Sequence, residues 1–89
     1  MELNNKQLKD IALRTLSVTS NVERVEVTDV WENNKEHVRQ IVVWEESASI
    51  TGELIANIEV RDNYSADQVK YLLLAEVDYL EEYFIDQNK

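Results

Sequence analysis

The sequence predicts a single α+β domain over residues 1–89, in the order α-β-β-β-α, with a three-stranded antiparallel sheet that carries two helices on one face. Three observations lead there. The hydrophobic period is helical near the start, switches to two from Val22 to about Arg61, and turns helical again after Ser65. A chain of 89 residues closes one modest core, burying ~60–65% of its unfolded surface, and has no room for a second. Hydrophobic residues at 44% and charged residues at 30%, with a mean hydropathy of -0.44, match a folding chain rather than a disordered one.

The first helix spans Leu3 to Ser17, with Leu8, Ile11, Ala12, Thr15 and Leu16 on one face, and Asn4 and Gln7 spaced as a capping box. Its other face carries Lys6, Lys9, Asp10 and Arg14. Small polar residues from Ser17 to Asn21 end it. The first strand follows, with Val25, Val27 and Trp31 on one side and Arg24, Glu26, Thr28 and Glu32 on the other. Asn33, Asn34 and Lys35 supply a turn, since Asn tolerates positive φ.

His37 to Glu46 is the second strand, and its run Ile41-Val42-Val43-Trp44 is apolar on both faces, which places it in the middle of the sheet and covered on both sides. The third strand alternates Ile50, Leu54, Ala56, Ile58 and Val60 against Thr51, Glu53, Asn57, Glu59 and Arg61, with Gly52 marking a bulge or close approach inside it. Ser65 and Gln68 form a second capping box, and Tyr64 is placed to staple Val69. The helix they open runs to about Asp86, with a core stripe of Val69, Leu73, Val77, Leu80 and Phe84 flanked by Leu72 and Tyr83.

Composition excludes much chemistry. With no Cys, no Pro, one Gly and one His, the chain lacks thiolate zinc sites, disulfides and glycine-rich phosphate loops. Eighteen acids against nine bases give a net charge of -9, so nucleic acid and anionic membranes are disfavoured as direct partners and a neutral or basic protein surface is favoured. No basic stretch precedes an apolar run, and no apolar run approaches the ~18–20 residues of a membrane span, which predicts a cytoplasmic protein without membrane contact.

His37 is the one imidazole, and without a nucleophile elbow around any serine it reads as a solvated residue at a strand start, so no catalytic residue is assigned. The segment from Asp62 to Asp67 is rich in oxygen donors but lacks the glycine and terminal glutamate of an EF-hand loop; capping by Ser65 explains it, and no metal or cofactor is expected beyond weak cation binding. Glu76 falls on the apolar stripe, where edge placement beside a tyrosine or lysine gives it a structural role.

The most informative feature is the end of the last helix. From Ala75 to Asn88 it carries Glu76, Asp78, Glu81, Glu82 and Asp86 with no Lys or Arg. Acids there oppose the helix dipole by ~0.3–1 kcal/mol each, and the i,i+4 pair Asp78 and Glu82 costs ~0.2–0.5 kcal/mol more. Local rules broken without compensation mark functional constraint. A second stretch with acids alone holds Glu45, Glu46, Glu53 and Glu59.

Carboxylates one turn apart lie ~6 Å from each other, comparable with the spacing of phosphates on a wound strand. The expected partner-binding residues are therefore Tyr71, Asp78, Tyr79, Glu81, Glu82 and Asp86, and Glu45, Glu46, Glu53 and Glu59 extend the patch across the sheet. Tyr71, Leu74 and Ile85 lie opposite the core stripe as a candidate homodimer contact, unless the first helix covers Leu74.

The element order is that of double-stranded RNA-binding domains, but the start of the last helix, Ser65-Ala66-Asp67-Gln68-Val69-Lys70, lacks the basic cluster that holds phosphates in them. Order and acidity together are similar to those of small phage inhibitors, some anti-CRISPR proteins among them. The function expected is a non-enzymatic acidic module that binds a basic protein surface, as a nucleic-acid mimic or phage-type inhibitor in the groove of a DNA- or RNA-binding protein. The alternatives are a structural or assembly subunit dimerising through the last helix, and a small protein with a weak cation or carboxylate site.

Overall fold

Asn4 starts the first element. In a computed structural model describing residues 2–32, 36–46 and 52–87, with side chains described as far as Asp78, Asn4 and Gln7 exchange hydrogen bonds of 2.8 Å each and open helix α1, Asn5–Leu16. Ser17 ends it by donating its backbone N–H to the Leu13 carbonyl. Leu8, Ala12 and Leu16 are fully buried, and Ile11 packs beside them.

Strand β1, Val22–Glu32, pairs antiparallel with β2, His37–Glu45, which pairs antiparallel with β3, Glu53–Val60; the order β1-β2-β3 puts β2 in the middle as expected. Val25, Ile41, Val43, Ala56, Ile58 and Val60 face the helices and are buried. Helix α2, Ala66–Gln87, is capped by Ser65 and Gln68, whose reciprocal hydrogen bonds measure 2.7 and 3.2 Å. Val69 and Leu73 are fully buried, with Tyr64, Leu72 and Val77 packed at their margin. The rest of the expected stripe, Leu80, Tyr83 and Phe84, lies outside the described side chains.

Three register shifts correct the expected faces. The bulge between Asp29 and Trp31 turns Trp31 opposite Val38, on the sheet face away from the helices, where it is 49% exposed. A shift at Val43/Trp44 sets Leu54 opposite Trp44 on that same outer face and sends Ile55 against the core instead. A bulge moves every later side chain to the other face, since strand periodicity is two. The third shift falls at Glu23.

The second apolar row of β2 is also not covered as expected. Both helices lie on one face, and Val42 and Trp44 stay half-buried on the other, with the Arg24 guanidinium 4.6 Å above the Trp44 ring. Gly52 stands just before β3, not inside it, at φ 75°. A side chain there would meet the Glu23 carboxylate and approach the Glu45 carbonyl at 3.1 Å, so the close approach is real. Ile50 and the turn residues Asn33, Asn34 and Lys35 lie outside the described residues.

Candidate functional site

The topology sorts the charged residues to the two ends of the sheet. Glu23 near the start of β1, Glu45 and Glu46 at the end of β2 and Glu53 at the start of β3 gather at one end. Helix α2 starts at the opposite end of β3, after five residues, and runs back along it. Its 22 residues span ~33 Å against ~27 Å for the 8 residues of β3, so the helix is long enough to run the length of the strand toward the Glu53 end. This end is the acidic pole.

Glu45 and Glu53 sit directly opposite each other in the β2–β3 register, a like-charge pair that destabilises a sheet. Glu46 accepts a hydrogen bond of 2.7 Å from the Asn21 side chain, and its backbone N–H donates to the Asn21 carbonyl at 2.9 Å, which ties the strand end to the connection after α1. Among the described residues, Arg24 stands at this end too, pairing with Glu26, while the pairs of Arg61 with Glu36 and of His37 and Arg39 with their own carboxylates lie at the far end.

Of the residues expected to bind a partner, Tyr71 is 72% exposed and Asp78, two turns on along the same side of α2, is exposed as well. The backbone of Tyr79, Glu81, Glu82 and Asp86 is helical, and their side chains lie outside the described set, as does that of Ile85. Leu74 is 41% exposed, so α1 does not cover it. Glu76 is half-buried beside Val77, the edge placement expected of it. Glu59 does not join the acidic pole: it pairs with Gln40 toward the far end of β3.

A different cluster forms at that far end, and sequence reasoning did not assemble it. His37 is the first residue of β2, the strand start expected of it, and remains partly exposed, but its ring is paired rather than free. Its Nδ1 lies 2.9 Å from Glu2 Oε1 and its Nε2 2.7 Å from Asp29 Oδ1, while its backbone N–H donates to Asp62 Oδ2 at 2.8 Å. Glu2 comes from the segment before α1, Asp29 from the β1 bulge and Asp62 from the turn after β3. The Glu2 hydrogen bond, and after it the Asp29 one, raises the His37 pKa above its ordinary value. Because both ring nitrogens meet carboxylates, neither engages a hydroxyl nucleophile.

Arg39 is the second feature missed. It occupies a core-facing position of β2 and is 2% exposed, the single buried charged residue among those described. Its guanidinium donates to Asn5 Oδ1 at 3.1 Å and lies 3.5 Å from Glu2 Oε1, and its Nε is buried with no partner among the described residues. The signal was available: Arg39, Ile41 and Val43 alternate, so period two alone puts the arginine on the core face. A cavity of about 510 Å³ opens between Glu2, Asn5, Asp29, His37 and Arg39.

No described helix is long and apolar enough to cross a membrane. Compared with protein-family models, with curated proteins and with solved structures, the chain matches none of them, so its function is argued from its own geometry.

Proposed function

We propose that this chain is a non-enzymatic protein-binding module whose acidic pole docks on a basic surface, as a nucleic-acid mimic fills the groove of a DNA- or RNA-binding protein. The observation that carries this reading is the pairing of Glu45 with Glu53 across the sheet, at the end toward which the acid-only half of α2 runs. Like charges set opposite each other lower stability by a few tenths of a kcal/mol or more. A basic partner relieves that repulsion, so part of the interaction energy is prepared in the free protein. Tyr71, exposed on the same side of α2 as Asp78 and two turns nearer the helix start, would extend the contact away from the pole as an aromatic anchor.

The test is competition. Wild type and an Asp78→Asn/Glu81→Gln/Glu82→Gln/Asp86→Asn variant are used to capture proteins from source-cell lysate at low and high salt, with duplex DNA or RNA added as competitor. Support is a nucleic-acid-binding protein held by wild type, released by the duplex, and lost with the variant or at high salt, where charges are screened within ~3–8 Å. Capture indifferent to salt, competitor and substitution overturns the reading.

A second reading is favoured by one observation. Tyr71 and Leu74 are both exposed on α2, and Tyr71 borders a groove of about 390 Å³ with Tyr64, Asp67, Gln68 and Leu72. A homodimer through this face would bury them. Light scattering separates the two: a salt-resistant dimer lost in Leu74→Glu supports assembly, and a monomer leaves the acidic pole as the site.

A further inference from the structure

We infer that Glu2, His37 and Asp62 form a binding site for a divalent first-row transition ion, with Zn²⁺ the best fit. Each residue offers one donor atom, and the three lie within 4.8 Å of one another. One imidazole and two carboxylates make a nitrogen–oxygen set suited to zinc, and three protein donors leave a position open for water. The adjoining cavity of about 510 Å³, bounded by Glu2, Asp29, His37 and Arg39, gives that water room.

The surroundings are those of a held ligand set. A metal-binding histidine hands its other ring N–H to a carboxylate, which fixes the tautomer. Here Nε2 lies 2.7 Å from Asp29 Oδ1, so an ion that displaces the Nδ1 proton now shared with Glu2 would find the other ring N–H already held. Asp62 is fixed through Oδ2 by the His37 backbone N–H at 2.8 Å, and its Oδ1 is buried with no partner among the described residues. Pairing of His37 with Glu2 and Asp29 accounts for those two carboxylates without any ion. It does not account for the Asp62 oxygen, and a cation does.

Charge agrees. Once His37 gives up its Nδ1 proton to the solvent on binding, Glu2, Asp29 and Asp62 against Arg39 leave the cluster at -2, which a divalent ion cancels. Arg39, 3.5 Å from Glu2 Oε1, opposes the ion electrostatically but also orients the carboxylate that would bind it. Donors at ~2.0–2.2 Å from zinc in a tetrahedron stand ~3.3–3.5 Å apart, so the 2.9 Å contact of His37 Nδ1 with Glu2 Oε1 must open by a few tenths of an ångström and the widest donor separation, within 4.8 Å, must close by about 1 Å. Glu2 lies on the exposed segment before α1 and can move that far.

The experiment is calorimetric titration of the full chain with ZnCl2 in buffer freed of metal, with MgCl2 as the comparison ion. The expected result is saturable binding of one Zn²⁺ per chain, weaker for Mg²⁺, and reduced about tenfold or more in Glu2→Gln, His37→Gln and Asp62→Asn. Asp29→Asn, which removes the carboxylate held against His37 Nε2, is expected to weaken binding about tenfold. Circular dichroism checks each fold. Glu2→Gln alters no core residue, so it decides the matter if a His37 or Asp62 variant fails to fold. No saturable Zn²⁺ binding by wild type, or an affinity unchanged in Glu2→Gln, overturns the site; the second result would place the ion on the acidic pole.

Discussion

The two ends of the sheet carry the same kinds of side chain and use them in opposite ways. At the end where β2 begins, Glu2, Asp29 and Asp62 each meet a donor, and the charges knit the segment before α1, the β1 bulge and the turn after β3 to one histidine. At the end where β2 finishes, Glu45 faces Glu53, and Glu23 lies beside Gly52. Carboxylates from three separate segments meet donors and hold one end together; at the other, Glu46 accepts from Asn21 but Glu45 and Glu53 face each other as like charges. A chain with a net charge of -9 could have spread its acids evenly, and the contrast is the ground for proposing recognition at the second end.

The largest expected break falls on the structural end. Arg39→Ala removes a side chain that is 2% exposed and leaves a void in the core, with an expected loss of about 2–5 kcal/mol in urea unfolding. Arg39→Met keeps the volume and removes the unpartnered buried Nε, so stability is expected to hold or rise. A large loss in Arg39→Met would show that the guanidinium contacts to Asn5 and Glu2, and not its packing, stabilise this end.

Next in size is the backbone of the acidic pole. Gly52→Ala places a Cβ at φ 75° against the Glu45 carbonyl, and its expected cost is about 1–2 kcal/mol in thermal or urea unfolding. Glu53→Lys should act in the other sense. It turns the like-charge pair with Glu45 into an unlike one, which is expected to stabilise by about 0.2–1 kcal/mol at low salt while weakening capture of a basic partner. A variant that gains stability and loses binding separates recognition from folding; destabilisation would show that the two carboxylates are satisfied as they stand.

Much of this was legible from the residues. Period two and period 3.6 give all five elements, and Asn4/Gln7 and Ser65/Gln68 give both helix starts, because these signals act within a few residues. The faces of Trp31 and Leu54 were not legible. Their bulges depend on how many residues the partner strand offers, and the sequence holds no glycine at Val30 or Ile55 to flag them. The His37 cluster was hidden for a related reason: its carboxylates stand 35, 8 and 25 residues away, and only the strand register brings them together. Of the acidic pole, the acid runs were visible, but the gathering of Glu23 with Glu45, Glu46 and Glu53 at one end, and the departure of Glu59 from it, follow from the strand register.

The smallest effect is the most specific, because it reports the histidine alone. The Glu2 and Asp29 hydrogen bonds raise the His37 pKa in the folded protein above the ordinary value of 6.5. A raised pKa means that the folded chain holds the proton more tightly than the unfolded one, so the stabilisation is fully present below the unfolded value and is lost as pH rises through the folded one. In buffer with chelator, wild type should therefore lose stability as pH climbs from about 6 toward 8, seen as a falling urea midpoint. His37→Gln cannot titrate, and its midpoint should stay flat over that interval apart from the general repulsion of an acidic chain. Glu2→Gln and Asp29→Asn should each remove part of the slope, Glu2 more than Asp29, because its hydrogen bond contributes most to the shift. A wild-type midpoint no steeper than that of His37→Gln would mean that the two carboxylates leave the histidine in solution, and the structural end of the sheet would then be held by Arg39 and the core alone.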